Sequence, residues 1–159
     1  PLRDLSLTLR KLGETQLAAG DLRASLAALE EDLGLLRALA VLAPGDGEIA
    51  PNVKRDAATL GTLAFEAILA KDNVLGLRAS DIAVAAAPDL VWLHTNRAHA
   101  LMLLGRLDEA RTIYLGHRGE IAQDGQTWEV AIRDDFQALR RAAIAHPLMD
   151  EIEGSLSAR

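Results

Sequence analysis

Three adjacent carboxylate pairs are the first candidates for acid–base or metal chemistry: Glu30-Glu31, Asp108-Glu109 and Asp134-Asp135. Acid–base catalysis needs such groups to converge on one reacting centre. Each pair falls in a stretch with helical spacing, where neighbouring side chains diverge by about 100°. The pairs therefore split their charges and read as solvated helix faces. The histidines are His94, His99, His117 and His146. His94 and His99 are five residues apart, out of line on a helix and unlike the paired histidines of a helical zinc motif. The absence of cysteine removes thiolate chemistry and a disulfide framework. Gly45-Asp46-Gly47 lies between Pro44 and Pro51 rather than between a strand and a helix, so it is not a phosphate loop. No catalytic residue, metal ligand or cofactor is assigned, and the expected class is a non-enzyme.

Composition narrows the partners. Half of the 159 residues are apolar but only 3% are aromatic, so the interior is built from Leu, Ala, Ile and Val. Close helix packing suits that mixture better than a sheet. Seventeen Lys and Arg against 23 Asp and Glu give a net charge of −6. That balance argues against nucleic-acid and anionic-membrane partners, which need a basic surface. No apolar run is long enough to span a bilayer. No signal peptide is visible and the chain starts at Pro1, so a piece of a longer, cytoplasmic protein is expected.

The elements follow from periodicity. In Leu90–Tyr114, apolar and small residues recur at helical steps through Leu93, Ala98, Leu101, Met102 and Leu104, with Arg97 among them. Gly105 breaks the run, and Leu107, Ala110, Ile113 and Tyr114 begin another, with Asp108 and Glu109 in its first turn. This is an antiparallel helical hairpin. Earlier, Leu5, Leu9 and Leu12 mark one helix, Gly20-Asp21 a turn, and Leu22, Leu26 and Leu29 a second helix reaching Leu42, with a bend expected at Gly34. Ala43 to Pro51 reads as an exposed loop. Asn52 to Ala70 resumes helical spacing, Lys71-Asp72-Asn73 turns, and Val74 to Ala86 follows with Asn73 as its expected cap. After Tyr114, HRGEIAQDGQT reads as a polar connector with Asp124-Gly125 as a turn. Thr127 is the expected cap of a helix burying Trp128, Ile132, Phe136 and Leu139, with Asp134, Asp135, Arg140 and Arg141 outward. A short helix over Leu148–Leu156 closes the chain.

These residues resemble the tetratricopeptide repeat, whose signature is a large apolar residue, a small residue, a turn glycine, an alanine and an aromatic. Here they are Leu101, Ala98, Gly105, Ala110 and Tyr114, with His94 where an early aromatic is usual and Arg97 where an apolar residue is usual. Gly13, Gly20, Ser25 and Leu29 repeat the order, and Lys71 to Gly105 is 34 residues, that family's period. The closing segment, WEVAIRDDFQALR and HPLMDEI, also resembles the C-terminal ends of large bacterial repeat proteins.

The resemblance implies an all-α fold: a right-handed α-solenoid of about three helical hairpins (about 5–42, 52–87 and 90–120) with C-terminal capping helices (about 127–156). It makes residues 1–159 one domain. It also implies a non-catalytic protein–protein interaction module whose concave groove takes a peptide or a partner domain. The first helix of each hairpin would line that groove, placing Arg10, Glu14, Leu17, Gly61, Phe65, Ile68, Trp92, Thr95, His99 and Met102 inward. Partner contacts are expected from Arg10, Glu14, Phe65, Trp92, Thr95, His99 and Met102. Trp92 has a second reading as packing on the preceding helix, and Phe65 and Met102 as core. Arg10 is expected to be exposed, and Arg97 to find an acid such as Glu66 or Asp81. Only Arg10 fits the clamp with which part of the family binds terminal carboxylates. The rival reading is an architectural end-cap whose own terminal helices fill the groove. Self-association is compatible with either.

Overall fold

The turns at Gly20, Lys71 and Gly105 share one backbone solution. In the computed structural model, which describes residues 2–157, the three turn residues have φ of 79°, 64° and 78°. The next N–H then reaches back over the helix end: Asp21 donates to Gln16 O, Asp72 to Ala67 O and Arg106 to Leu101 O, each at 2.9 Å. This is the Schellman closure, which satisfies carbonyls left without a partner at a helix C-terminus. A fourth copy occurs at Ala143 (φ 56°), with Ile144 N–H donating to Leu139 O at 2.9 Å.

The elements are α1 (Leu2–Ala18), α2 (Leu22–Leu42), α3 (Ile49–Leu69), α4 (Asn73–Ala86), α5 (Leu93–Leu103), α6 (Leu107–Gly116), β1 (Ile121–Gln123), β2 (Gln126–Thr127), α7 (Trp128–Arg141) and α8 (Pro147–Ser157). Helix α3 begins before the expected Asn52 because Pro51 sits in its first turn, where a missing N–H costs nothing. Helix α2 runs through Gly34, where an added Cβ would meet open space. Asn73 is not the cap of α4. Asp72 is, its carboxylate accepting from Leu75 N–H at 3.0 Å, as Asp21 accepts from Ala24 N–H at 3.1 Å at the start of α2. At the third turn Arg106 cannot accept and instead clamps Glu109 with two 2.7 Å bonds. Among the described residues, no helix is long and apolar enough to cross a membrane.

The protein is mostly helical, and its helices pack as sequential hairpins: α1 with α2, α3 with α4, α5 with α6. Helix α3 also touches α1 and α5, and α2 touches α4. Each hairpin crosses where both helices carry small residues. The pairs are Gly13 with Ser25, Ala64 with Gly76 and Ala98 with Ala110, all buried. A Cβ on Gly13 would lie 2.7 Å from Leu29 Cγ, and one on Gly76 would lie 3.2 Å from Ala64 O. Ser25 Oγ uses the close approach to donate to Gly13 O at 2.8 Å.

Two apolar clusters result. Leu29, Leu33, Leu36, Leu60 and Leu63 centre the first; Leu101, Tyr114, Trp128, Phe136 and Met149 centre the second. Trp92 packs against both. Trp128, Ile132, Phe136 and Leu139 are the buried face of α7, and α8 packs on α6 and α7 through Leu148, Met149 and Ile152. The segment expected to be an irregular connector is instead an antiparallel hairpin pairing Ile121 with Thr127 and Gln123 with Gln126. Its turn residues, Asp124 and Gly125, have φ of 49° and 79°, the double left-handed turn that matches strand twist. Thr127 stands at the N-cap of α7 without a side-chain cap bond.

Helix α1 departs most from its sequence reading. Leu5 and Leu12 are exposed, while the buried residues are Ser6, Leu9, Arg10 and Gly13. Arg10, expected on the surface, is 4% exposed. Its guanidinium donates to Asp56 at 2.8 Å, Asn52 at 2.8 Å and Asp32 at 3.2 Å, joining α1 to α2 and α3. A cation can sit there only because acids on two other helices meet it, which α1 alone does not reveal. Arg97 finds Asp81 at 2.6 Å, one of the two acids expected for it.

Lys71 is an exposed, non-glycine residue in the left-handed turn position. Relief of its steric strain, about 1 kcal/mol, predicts that Lys71→Gly raises the urea midpoint and Gly105→Ala lowers it. Equal midpoints for the Lys71 variant and the parent would contradict this account of the turn.

Candidate functional site

Gly61 places the site. A side chain there would lie within 2.6 Å of the Trp92 ring, so only glycine lets the start of α5 rest on α3. The joint is pinned by polar bonds. Asn96 Nδ2 donates to Gly61 O at 2.8 Å, and Thr95 Oγ1 donates to Trp92 O at 2.9 Å. Trp92 is thereby held half-buried over α3, with its ring bordering a cavity.

That cavity is about 290 Å³. Helix α3 contributes Phe65 and Glu66, α5 contributes Trp92 and Thr95, and the β-hairpin and α7 close the far side with Gln123, Gln126, Asp134 and Asp135. Two aromatic rings and three carboxylates line it, and among the described residues no Lys, Arg or His does. Two further depressions, about 490 and 570 Å³, continue it along α3 to Leu17 at the end of α1, and all three share Thr62. The first helices of the hairpins thus border one trough, and the chain's own C-terminal segment walls one end of it.

Behind the wall lies His99, wholly buried. Its Nδ1 is 2.7 Å from the Tyr114 hydroxyl and its Nε2 is 3.1 Å from Asp135 Oδ2. A neutral imidazole with its proton on Nε2 satisfies both bonds, accepting from the hydroxyl and donating to the carboxylate. Burial, and secondarily Asp135, push the Tyr114 hydroxyl well above its ordinary 10, so it stays protonated. The Tyr–His–Asp line has the parts of a proton relay. Tyr114 and His99 are sealed from solvent and both imidazole nitrogens are occupied, so the line ties α5, α6 and α7 together instead. Asp135, expected to face outward with Asp134, turns inward to His99 while Asp134 accepts from Gln126 Nε2 at 2.8 Å. The adjacent carboxylates take different partners, though both line the cavity.

Of the expected contact residues, Phe65, Trp92 and Thr95 are brought together in the cavity. Leu17 and Gly61 also border the trough. Glu14 is exposed but lines none of its three depressions. Arg10 is in the ion cluster, and His99, Met102 and Ile68 are core. The hairpin glutamines and Asp134 were not anticipated. Asp124-Gly125 was the available signal, since a two-residue left-handed turn between extended residues marks a hairpin. Among the described residues, no cluster of three or more His, Cys, Asp or Glu is placed to hold a metal.

Comparison with family models, with curated proteins and with solved structures gives no match. The functional reading therefore stands on geometry.

His99→Ala removes a buried ring and leaves the Tyr114 hydroxyl without its nitrogen partner, at a cost of about 3 kcal/mol. The expected result is a lower denaturant midpoint. Unchanged stability would mean that His99 is a surface contact after all.

Proposed function

We propose that the chain is a non-catalytic protein-interaction module of tetratricopeptide type, acting in the cytoplasm. In this reading the hairpins stack as a right-handed solenoid, and the trough along α1, α3 and α5 takes an extended peptide. The supporting observation is the cavity beside Phe65 and Trp92: open to solvent, with two aromatic rings and with carboxylates from both α3 and α7. Its size is at the small end of ligand cavities, which suits one side chain rather than a whole small molecule. A Lys or Arg side chain fits this lining, its charge meeting Glu66 and Asp134 and its stem or guanidinium lying against the rings. The rest of the trough, with Leu17, Ala58, Thr59 and Thr62, suits small or apolar neighbours.

A second reading, the architectural end-cap, draws on the β-hairpin and α7, which occupy the trough beside the third hairpin. Of the terminal helices expected to fill the groove, α7 borders the cavity while α8 packs on α6 and α7. If the segment 121–127 is the plug of a sealed end, shortening it enlarges the trough without adding peptide affinity.

The test is a randomised peptide library presented to the native chain. Selected peptides are expected to carry a basic residue beside an apolar one. Trp92→Ala, and Glu66→Gln with Asp134→Asn, should each weaken them about tenfold, roughly 1.4 kcal/mol. Selection of no peptide favours the end-cap. Selection of peptides indifferent to all three substitutions rejects the trough as the binding surface.

A further inference from the structure

The ion cluster at Arg10 has one cation too few. Its guanidinium lies between two carboxylates, Asp56 on α3 and Asp32 on α2, and both acids are wholly buried. One oxygen of each, Asp32 Oδ1 and Asp56 Oδ2, has no donor. Both acids are held on the one guanidinium, so they are neighbours in a site closed to solvent. Two ionised carboxylates there repel, whereas a carboxylic acid beside a carboxylate supplies a donor for an orphaned oxygen. Arg10, which also donates to Asn52 at 2.8 Å and to Ser6 at 3.5 Å, carries one positive charge and so balances only one of two ionised carboxylates.

Among the described residues, no cation besides Arg10 is within ion-pair distance of Asp32 or Asp56. The charged neighbours are in the adjoining cavity of about 260 Å³: Arg3 on α1, Asp46 and Glu48 in the loop, and Arg55 on α3. Arg3 is paired with Asp46 at 2.6 Å. On α4, which packs against α2 and α3, Arg78 is paired with Glu30 at 2.7 Å on the exposed side. The cluster sits where the first hairpin joins the second, and it holds a helix whose Leu2, Leu5, Leu7 and Leu12 are exposed. Helix α1 packs mainly on α2, where Ser25 donates to Gly13 O, and this cluster is its polar link to α3.

We propose that Asp32, Asp56 and Arg10 form a protonation latch between the first two hairpins: one proton shared by the carboxylates keeps α1 closed on α3, and its loss loosens that joint. The adjoining cavity gives water a route to the two charges once the proton leaves. Burial first, and the neighbouring Asp32 second, raise the Asp56 carboxyl from its ordinary 3.8 to about 7. A carboxyl raised on folding favours the folded state fully below 3.8, and that advantage is lost as pH climbs to about 7. Over that interval the folded-to-unfolded ratio falls by up to about tenfold per pH unit from this group, then levels off. His94 works in the opposite sense. Burial lowers it below its ordinary 6.5, so it favours the folded state as pH rises toward that value.

The direct test is carbon NMR of aspartate side-chain carboxyls in the native chain, titrated from about pH 5 to 8.5. One buried resonance is expected to change protonation near 7, with α1 amides exchanging faster above that point after correction for intrinsic rates. Two buried carboxylates ionised throughout the titration would overturn the proposal, and so would a titration that leaves α1 protection unchanged. Stability against pH gives a second check. Asp56→Asn keeps a neutral donor, so the parent-minus-variant difference should carry the decline toward 7 while the His94 contribution cancels. A variant with the same slope as the parent would also overturn it.

Discussion

Two helices joined by a short turn can pack closely only if nothing protrudes where they cross, and this chain meets that condition three times. Gly13 with Ser25, Ala64 with Gly76, and Ala98 with Ala110 stand at matching distances before and after the left-handed turns. The turn fixes the direction of return, and the small pair fixes the depth of approach. Once both are set, the leucines beside them face one another and the two cores follow. The same rule carries over to the contact between hairpins. Gly61 lets Trp92 lie across α3, so the trough and its aromatic wall derive from a missing side chain.

The parts of the fold set by nearby residues were legible in the sequence. Gly20, Lys71 and Gly105 marked the turns, and the buried face of α7 was visible in Trp128, Ile132, Phe136 and Leu139. What failed depended on distant partners. Arg10 looks like a surface cation until Asp32 and Asp56 arrive from other helices. His99 looks like a groove residue until Tyr114 and Asp135 close over it. Leu5 and Leu12 gave α1 an apolar face that the structure leaves exposed. Helical spacing ranks faces by hydrophobicity, and it misplaces a helix whose buried side is held by ions. The β-hairpin was missed for another reason: with five strand residues, its periodicity was too short to stand above a polar background.

The candidate site was half legible. Phe65, Trp92 and Thr95 do meet, but the charge of the cavity comes from Glu66, Asp134 and Asp135, two of which belong to the C-terminal segment. That segment both narrows the trough and gives it its sign. The two functional readings therefore share one structure and differ in whether the space that remains is used.

The central claim is an open, anionic inner wall at Trp92, and differential quenching of tryptophan fluorescence tests it most directly. The chain has two tryptophans, and Trp128 is wholly buried, so collisional quenching reports on Trp92. At low ionic strength, caesium should quench more strongly than iodide, because Glu66 and Asp134 concentrate cations beside the ring. Protection from both ions, or stronger quenching by iodide, would contradict the account.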